Sequence, residues 1–503
     1  MIELEYLAHS SFLLKCGSTK IVFDPWLKGS AYCGQWYLWP PAATEAGKIE
    51  PDMILISHGH EDHLHQESLK SLGNNAVVYF PFQWRAGVKQ FLRYLGFRNI
   101  IEAVSFHTYY FRDISITYAG YSLESVIVIE YKGEVFVNIN DALNSNHETA
   151  VQFLLKEIKK RWNKIDYLLS GWSGAGHFPN QIRFPGKDDH EIALLREQYF
   201  ANNFCRFTNY LSPSFAVPFV PGFALLKKEN TWINHIKFPR KNVRRYYHTL
   251  YPEDSAVTFI VPFPGDRIAN GELNAVSEFH HLPEPEHYSR MYDYYSGESD
   301  KVNTLTIISD DKIDFLVKQL SFWVNKNKTL YHENALCKTA FSIFLEDSRE
   351  GDYLNIFMSD KNFDVKKAKH SLPEKKLLIK TTAALLLYSL SREWGGDALT
   401  IGYGLTVDVY DLDTLEKNLD IVCVRLITRY PIARKDFAKF PFRATKYYFS
   451  NPGISSLWVK QKIKLKPYVN KFPFNERDHW ITYKKCELCA VCRMPVVEVE
   501  NFR

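Results

Sequence analysis

The sequence lacks any long apolar segment and has few cysteines. No stretch of 18 or more consecutive apolar residues occurs among its 503 residues, so no transmembrane helix is predicted. The first residues include two glutamates and no extended apolar core, so no signal peptide is expected. Eight cysteines are too few for a disulfide-stabilised scaffold of this length. These absences predict a soluble cytoplasmic protein with no membrane partner.

The chain also lacks a strong excess of charge of one sign. Its 62 Lys and Arg residues against 57 Asp and Glu residues leave a net charge of +5, which gives no reason to expect a nucleic-acid partner. A composition that is 46% hydrophobic and 24% charged is ordinary for globular proteins and excludes a disordered chain. Because 503 residues exceed the size of one hydrophobic core, we expect two or three domains.

Short apolar segments alternate with helical patterns through residues 1–277 and predict a layered α/β domain. Helical spacing of apolar residues predicts helices over 147–162 and 188–210. The turn Tyr131–Glu134 predicts a hairpin. Segments rich in Val, Ile, Phe and Tyr predict eleven strands. These are Ile2–Leu7, Ser11–Lys15, Ile21–Asp24, Met53–Ser57, Ala76–Phe80, Ile114–Ala119, Val126–Tyr131, Val135–Asn138, Tyr167–Ser170, Phe215–Phe219 and Val257–Val261.

The remaining residues divide into three parts by composition. The segment 278–303 contains two prolines and many polar residues and is predicted to be a linker. Residues 304–430 are predicted to form a smaller α+β domain, with a helix over 374–392 and a strand over 398–403. The tail, residues 431–503, is basic and aromatic and contains three clustered cysteines.

One loop concentrates the side chains that bind transition metals. His58, His60, Asp62 and His63 lie within six residues, directly after an apolar strand segment. Neutral imidazole and carboxylate groups suit Zn, Fe or Mn, and packing four of them so tightly is costly without a cation. A solvent-exposed loop rarely has this density of ligands. The segment therefore predicts a metal site, in which Asp62 is also the candidate catalytic carboxylate.

This HxHxDH pattern after an apolar strand resembles the metallo-β-lactamase superfamily. The segments His9–Leu14 and Ile21–Trp26 are similar to the opening hairpin of that superfamily. The resemblance implies an αββα sandwich with metal ions at one edge of its two sheets. It does not choose a reaction, because the superfamily includes hydrolases, flavin-linked redox proteins and dinuclear-iron oxygenases.

The same resemblance implies how the loop residues share two metal ions. By that match, His58 and His60 would bind the first ion, and Asp62 and His63 would bind the second. Superfamily members usually add a His before the next hairpin, a bridging Asp after it, and a final His. These three ligands need separate arguments.

Asp141, Glu124 and His177 are the candidates for those three positions. Asp141 follows a predicted strand and would bridge the two cations; the alternative is a turn-forming Asp. No imidazole precedes the hairpin, but Glu124 does, and a carboxylate there would favour Fe or Mn over Zn. Its alternative is a solvent-exposed residue at the hairpin edge. His177 lies in a glycine-containing loop, where a plain surface histidine is the alternative.

Five further residues are candidates near the metals. Asp24 is predicted to orient the ligating histidines by hydrogen bonding, as carboxylates around metals commonly do. His9 either acts similarly or caps backbone groups. Trp36, Trp39 and Trp172 lie in segments near the metal-bearing strands, where aromatic rings suit the faces of a sugar or base. Their alternative is packing in the core.

Longer stretches resemble the catalytic core of the CMP-N-acetylneuraminate hydroxylase family. The resemblance implies a dinuclear-iron oxygenase that hydroxylates a nucleotide-sugar or similar polar metabolite, with electrons from a Rieske centre. The paired Cys-x-His and Cys-x-x-His ligands of such a centre do not occur in this sequence. Either a separate ferredoxin-type protein donates electrons or the chemistry differs. The similar segments are Asp24–Trp26, Gln35–Pro41, Ile56–His58, Ile129–Gly133, Asn140–Asp141, Gly171–Pro179, Pro218–Phe223, Pro262–Gly265 and Trp394–Gly402.

The tail contains a second candidate metal site. Cys486, Cys489 and Cys492 form a CxxCxxC pattern, and His479 lies seven residues upstream. Thiolates at this spacing bind one soft metal ion or an iron–sulfur cluster, and a small zinc knuckle fits better than a redox centre. The alternative is a terminal strand with incidental cysteines.

Two enzyme classes fit the loop motif. The first is the dinuclear-iron oxygenase that the closer resemblance implies. The second is a zinc-dependent hydrolase of a phosphodiester, lactone or amide, in which the metal activates water and Asp62 orients it. A non-enzymatic binding protein is disfavoured because the loop retains all of its ligands.

Overall fold

The computed structural model describes residues 2–82, 87–120, 124–144, 148–175, 182–183, 188–254, 256–327, 340–358, 362–373, 377–392, 395–410, 427–429, 441–443 and 445. The strands are β1 (Ile2–Ala8), β2 (Ser11–Cys16), β3 (Thr19–Phe23), β4 (Ser30–Ala31), β5 (Trp36–Leu38), β6 (Met53–Leu55), β7 (Val77–Pro81), β8 (Ile100–Ala103), β9 (Thr108–Phe111), β10 (Ile114–Ala119), β11 (Val126–Tyr131), β12 (Glu134–Asn140), β13 (Tyr167–Gly171), β14 (Ile182–Arg183), β15 (Phe215–Phe219), β16 (Phe223–Ala224), β17 (Thr258–Phe259), β18 (Arg267–Ala269), β19 (Glu272–Asn274), β20 (Phe341–Leu345), β21 (Tyr353–Met358), β22 (Phe363–Ala368), β23 (Leu377–Thr381) and β24 (Leu405–Val409). The α-helices are α1 (Gln66–Leu72), α2 (Gly87–Tyr94), α3 (Glu148–Arg161), α4 (Asp189–Leu211), α5 (Val243–Leu250), α6 (Glu284–Tyr294), α7 (Ser296–Asn303), α8 (Asp310–Asn327) and α9 (Ala383–Ser391).

Two large sheets face each other and enclose the central core. One has the strand order β19-β18-β1-β2-β3-β6-β7-β8, and the other has the order β17-β15-β13-β12-β11-β10-β9. Alternate residues of each strand point into the shared core, such as Phe12 and Leu14 from the first sheet and Ile127 and Ile129 from the second. The residues between them point to the outer faces, so these strands are apolar throughout.

Helices cover both outer faces of the sandwich. Leu69 of α1 and Leu92 of α2 pack on the outside of the first sheet. Leu154 and Ile158 of α3, together with Phe207 of α4, pack on the outside of the second. The resulting order of helix, sheet, sheet and helix confirms the predicted αββα sandwich.

The second part of the chain forms a third sheet that packs beside the sandwich. Its strand order is β14-β24-β23-β20-β21-β22, and β14 comes from the first part of the chain. Its core includes Leu316 and Leu320 of α8 and is continuous with Tyr32, which follows β4, and with Trp36 of β5. This sheet therefore covers one end of the sandwich.

Two local predictions for the later residues are wrong. Residues 374–392 were predicted to be one helix, but β23 ends at Thr381 and α9 begins after Thr382, whose hydroxyl accepts the N–H of Leu385. Residues 398–403, predicted to be a strand, are the end of a 3-10 helix followed by a turn, and the strand is β24 instead. The segment 278–303, predicted to be a linker, contains α6 and α7, and its Pro283 and Pro285 lie at the start of α6, where proline is tolerated.

The predicted hairpin between β11 and β12 is confirmed, with Lys132 and Gly133 both at positive φ in its turn.

Among the described residues, no helix is long and apolar enough to cross a bilayer.

Candidate metal centre

The histidine-rich loop lies where several strands end at one edge of the sandwich. β3 and β6 pair in parallel, with Phe23 opposite Leu55, so the residues that follow them lie side by side. Asp24, directly after β3, accepts the backbone N–H of Ser57 at 2.7 Å. The loop then returns into α1, where His65 caps the helix by accepting the N–H of Ser68. Both ends of the loop are thus fixed by hydrogen bonds.

Three groups of His, Asp and Glu side chains meet at this edge. In each group the potential ligand atoms lie within 4.8 Å of one another. The groups are His58, His60 and Glu124; His58, His63 and Asp141; and His9, Asp62 and His63. Because His58 and His63 each belong to two groups, the three form one continuous cluster. The structure therefore brings together six of the seven predicted main-site ligands, with His9 added to them.

His63 lies at the centre of the cluster. Its Nδ1 lies 3.3 Å from Asp24 Oδ2, so this nitrogen carries a proton that faces the carboxylate. Its Nε2 lies 3.3 Å from Asp62 Oδ2 and 3.4 Å from Asp141 Oδ2, yet it is buried and has no hydrogen-bond partner within the described chain. A buried ring nitrogen that faces two carboxylates without a hydrogen bond is positioned as a metal ligand.

His58 and His60 face each other at the first group. His58 Nε2 and His60 Nδ1 are 2.8 Å apart, and His58 Nδ1 lies 2.9 Å from Ser57 Oγ. Burial lowers the pKa of His58 well below its usual value, and the imidazoles of His63 and His60 add to this effect. The neutral ring is the form that binds metals. Asp141 Oδ2 lies 3.8 Å from His58 Nε2, which places this carboxylate between the groups.

Asp62 is held by the buried side chains of Tyr32 and His9. Tyr32 donates its hydroxyl to Asp62 Oδ1 at 2.5 Å, and His9 Nε2 lies 3.1 Å from Asp62 Oδ2. His9 Nδ1 accepts the N–H of Gly222 at 3.2 Å, so its proton lies on Nε2 and is donated to Asp62. His9 therefore orients Asp62 rather than offering a free nitrogen. Burial alone would raise the pKa of Asp62, but the charge of His63 and the hydrogen bond from His9 hold it well below its usual value.

Asp24, which was predicted to orient ligands, is fully buried behind His63. Besides accepting the Ser57 N–H, it accepts a short hydrogen bond from Asn140 Nδ2. His9, Asp24 and Asn140 all have positive φ angles, of 43°, 39° and 51°. Such backbone strain costs about 1–3 kcal/mol per residue and clusters at functional sites. The surrounding fold therefore holds these three side chains in place at some cost in stability.

The donor set suits a pair of transition-metal ions. Imidazole nitrogen and carboxylate oxygen are the preferred donors of Zn, Fe and Mn. His63 Nε2 is buried without a hydrogen bond in the described part of the chain, and the facing nitrogens of His58 and His60 lie 2.8 Å apart, close enough to bind the same ion. Bound cations would satisfy all three nitrogens, so these residues fit a metal centre.

Tyr32→Phe tests how Asp62 is held. Removal of the hydroxyl leaves Asp62 Oδ1 without its 2.5 Å donor in a buried site, so we expect the free energy of unfolding to fall by about 1–3 kcal/mol. Urea denaturation of the metal-free protein measures this loss, and metal affinity should fall with it. Tyr110→Phe is the control, because Tyr110 is 76% exposed. Equal stability of the two variants would contradict the assigned role.

The other predicted residues lie in different places. His177, His479, Cys486, Cys489 and Cys492 lie outside the described residues. Trp172 is buried between Phe204 and Tyr246, with its indole N–H donated to Phe238 O, so it packs in the core, as its alternative had it.

Trp36 and Trp39 are also buried. Trp36 stacks on Phe223 at 3.9 Å between ring centres and lies 6.4 Å from the His9 ring. Trp39 lines a separate cavity. Trp36 therefore packs behind the metal cluster instead of facing open solvent.

Sequence reasoning missed Tyr32, Asn140 and Asp397. Asp397 comes from the turn between α9 and β24, and its charge interacts with His60 and Asp62. Burial is the main cause that raises its pKa to about 6. Tyr32 carries no motif of its own, whereas Asp397 lies in the segment Trp394–Gly402 that resembles the hydroxylase family. Asn140 had a signal, since it directly precedes the predicted bridging Asp141.

These features define the class of protein. Residues 3–152 match the family model of the beta-lactamase superfamily domain. This part of the chain is therefore a metallo-β-lactamase-fold domain, with its His and Asp cluster at the edge of the sandwich. The resemblance drawn from the HxHxDH motif is confirmed.

The curated relatives narrow the resemblance further. Over 295 residues the chain is 25% identical to the cytidine monophosphate-N-acetylneuraminic acid hydroxylase of Mus musculus. This match covers 54% of the present chain and 48% of the relative. It is 24% identical over 295 residues to the inactive cytidine monophosphate-N-acetylneuraminic acid hydroxylase of Homo sapiens. That match covers 54% of the present chain and 55% of the relative. The chain thus spans about half the length of the curated relatives it matches.

Among solved structures, the chain is similar to CmlA, a diiron beta-hydroxylase from Streptomyces venezuelae. The identity is 15%, the match covers 53% of each chain, and the TM-score is 0.37.

Proposed function

We propose that this protein is a dinuclear-metal oxygenase that uses iron to hydroxylate a small polar metabolite. The observation that carries the proposal is the ligand set of the first group, where Glu124 joins His58 and His60 in place of a third imidazole. With Asp62 and Asp141 nearby, the cluster is rich in carboxylates, and hard oxygen donors favour iron or manganese over zinc. The similarity to the hydroxylases over 295 residues supports the same choice.

The burial of the cluster indicates where a substrate approaches. His63, Asp62 and His9 are buried, whereas His60, Glu124 and Asp141 are partly exposed. Asp141 has a side chain that is 37% exposed, so the open side of the cluster lies along these three residues. Two iron ions held there would supply the activation of O2.

The chain's own residues provide order and proton control. Tyr32 and His9 fix both oxygens of Asp62, and Asp24 fixes the proton of His63 on Nδ1. Asp397 adds a carboxyl group whose pKa is raised by burial and whose charge interacts with His60 and Asp62. In this proposal the protein orients the ligands and excludes water from the buried side.

The substrate and the electron donor are further parts of the proposal. A nucleotide-sugar related to cytidine monophosphate-N-acetylneuraminic acid is the class that the relatives' names support. A separate ferredoxin-type protein would donate the electrons. The tail cysteines would hold a third metal ion, as a small zinc knuckle.

The discriminating experiment compares two reactions of the iron-loaded full chain. With a chemical reductant, O2 and a nucleotide-sugar such as CMP-N-acetylneuraminate, we expect O2 uptake coupled to a product that has gained one oxygen atom. Turnover of a phosphodiester, lactone or amide without O2 or reductant would instead support the zinc hydrolase. That result would overturn the oxygenase proposal.

Glu124→His tests whether this carboxylate sets the metal preference. Replacing this carboxylate with imidazole makes the donor set of His58, His60 and residue 124 softer. We therefore expect the ratio of bound zinc to bound iron to rise severalfold after reconstitution with equal amounts of both metals. Elemental analysis measures the ratio. Glu253→His is the control, because Glu253 is exposed and lies outside the three ligand groups. An unchanged ratio would remove Glu124 from the metal centre.

A further inference from the structure

A cavity of about 180 Å³ lies beside the metal cluster and shares none of its candidate ligands. Its walls come from the segment around Trp39, from residues 221–241, and from residues 261–291 that include the start of α6. Since a liquid water occupies about 30 Å³, a space of this size accommodates a small organic molecule with one ring.

Basic side chains line this cavity, although burial lowers the pKa of Lys237 to about 7 and the carboxylate of Glu197 acts on it from outside the lining. Lys237, Arg240 and Lys241 line it, whereas no Asp or Glu does among the described residues. Arg240 is only 8% exposed, and its Nη1 is buried with no hydrogen-bond partner in the described part of the chain. A buried guanidinium N–H without an acceptor is costly, and a bound oxyanion is the group that would satisfy it.

Rings form the remaining walls. Phe263, Phe279 and Tyr288 line the cavity together with Trp39. The Trp39 indole N–H lies 2.9 Å from His287 Nε2 and is donated to it. Burial, followed by the charges of Arg240, Lys237 and Lys241, lowers the pKa of His287 to about 4, so this ring is neutral near pH 7. Because its Nε2 accepts the Trp39 N–H, its proton lies on Nδ1. The walls thus combine flat apolar surfaces with hydrogen-bond donors.

Phe223 separates this cavity from the metal cluster. Trp36 stacks on one face of the Phe223 ring, and the Lys237 ammonium lies 3.6 Å from its centre, so Lys237 occupies the other face. The His9 ring lies 6.1 Å from Phe223. A ligand in the cavity would therefore bind next to the metal cluster without touching its ligands.

We propose that this cavity is a second binding site, for a small organic anion that carries a phosphate or carboxylate on a flat ring. Arg240, Lys237 and Lys241 would bind the oxyanion, and the aromatic walls would enclose the ring. This site goes beyond the proposed oxygenase function and does not depend on it.

The test uses the full chain and calorimetric titration with phenyl phosphate, benzoate and inorganic phosphate. We expect at least one ring-bearing anion to bind more tightly than inorganic phosphate, because the ring adds apolar contact. Which of the two ring-bearing anions binds more tightly identifies the oxyanion as phosphate or carboxylate. Absence of binding by both would overturn the proposal.

Variants locate the bound anion. Arg240→Lys keeps the charge but removes the guanidinium fork, so we expect about a tenfold loss of affinity. Lys241→Ala, at an exposed residue that should not affect folding, should weaken binding severalfold. Lys70→Ala, at an exposed residue of α1, is the control and should change nothing.

His60→Ala distinguishes this site from the metal centre. It should leave anion binding unchanged, even if the oxygenase proposal fails. If anion binding is lost in His60→Ala but is unaffected in Arg240→Lys and Lys241→Ala, the anion binds at the metal centre and the second site is disproved.

Discussion

His60→Ala is expected to lose metal from the first ligand group and to abolish turnover. His60 Nδ1 lies 2.8 Å from His58 Nε2, so the two nitrogens are placed for one ion. Mutation of residues that only support metal ligands costs about 10–100-fold in affinity or activity. Loss of a ligand itself should therefore cost more than about 100-fold. Metal titration with elemental analysis of the purified variant measures the loss.

The fold should survive this substitution, because His60 is partly exposed. Its circular dichroism spectrum and its free energy of unfolding without metal should match those of the wild type. His107→Ala provides the control, since His107 is exposed on the loop before β9. A His60→Ala protein that binds metal as tightly as His107→Ala would refute the role of the loop.

Gly222→Ala is expected to displace His9 and weaken the whole centre. A Cβ at Gly222 would lie 2.6 Å from His9 Cα and 2.9 Å from His9 N, and backbone atoms cannot move aside as a flexible side chain can. Overpacking of this kind typically costs about 1–3 kcal/mol in the free energy of unfolding. Because His9 donates to Asp62, we also expect metal affinity to fall by about 10–100-fold. Urea denaturation and metal titration measure the two effects.

Gly47→Ala is the matched control for this change. A Cβ at Gly47 would lie 3.7 Å from its nearest neighbour, the carbonyl oxygen of Ser71, which is ordinary contact. That variant should retain wild-type stability and metal affinity. If Gly222→Ala also retained both, the close packing of Gly222 on His9 would have no role in the centre.

The loop motif was readable from the sequence because its ligands are adjacent in the chain. His58, His60, Asp62 and His63 lie within six residues, so a local pattern carries the chemistry. Asp141 was placed by a different local signal, the end of a strand that faces the same edge. The layered α/β arrangement followed from alternating apolar strands and helical patterns, which two-sided burial in the structure explains, whereas the αββα sandwich was implied by the superfamily resemblance.

The partners of Asp62 could not be predicted because they are distant in sequence. Tyr32 is 30 residues away and was not singled out by any motif. The role of His9 was left open between orienting a ligand and capping backbone groups. Only the N–H of Gly222, 213 residues away, fixes its proton on the nitrogen that faces Asp62. Contacts of this range are set by the tertiary fold and leave no local pattern.

The error at residues 374–392 has a local cause. Leu377–Ile379 and Leu385–Leu387 are similar short apolar runs, and periodicity alone does not separate a buried strand from a buried helix at this length. The dividing signal was Thr382, an N-cap residue type in the middle of the segment.

The most direct test of the metal centre is elemental analysis of the full chain purified without O2. We expect two metal ions per chain at the histidine-rich cluster, mainly iron, with Glu124→His shifting the content towards zinc. Any tail-bound metal is subtracted by comparison with a Cys486→Ala and Cys489→Ala double variant. A wild-type protein with no metal bound to this cluster, or with the same content as His60→Ala, would contradict the account.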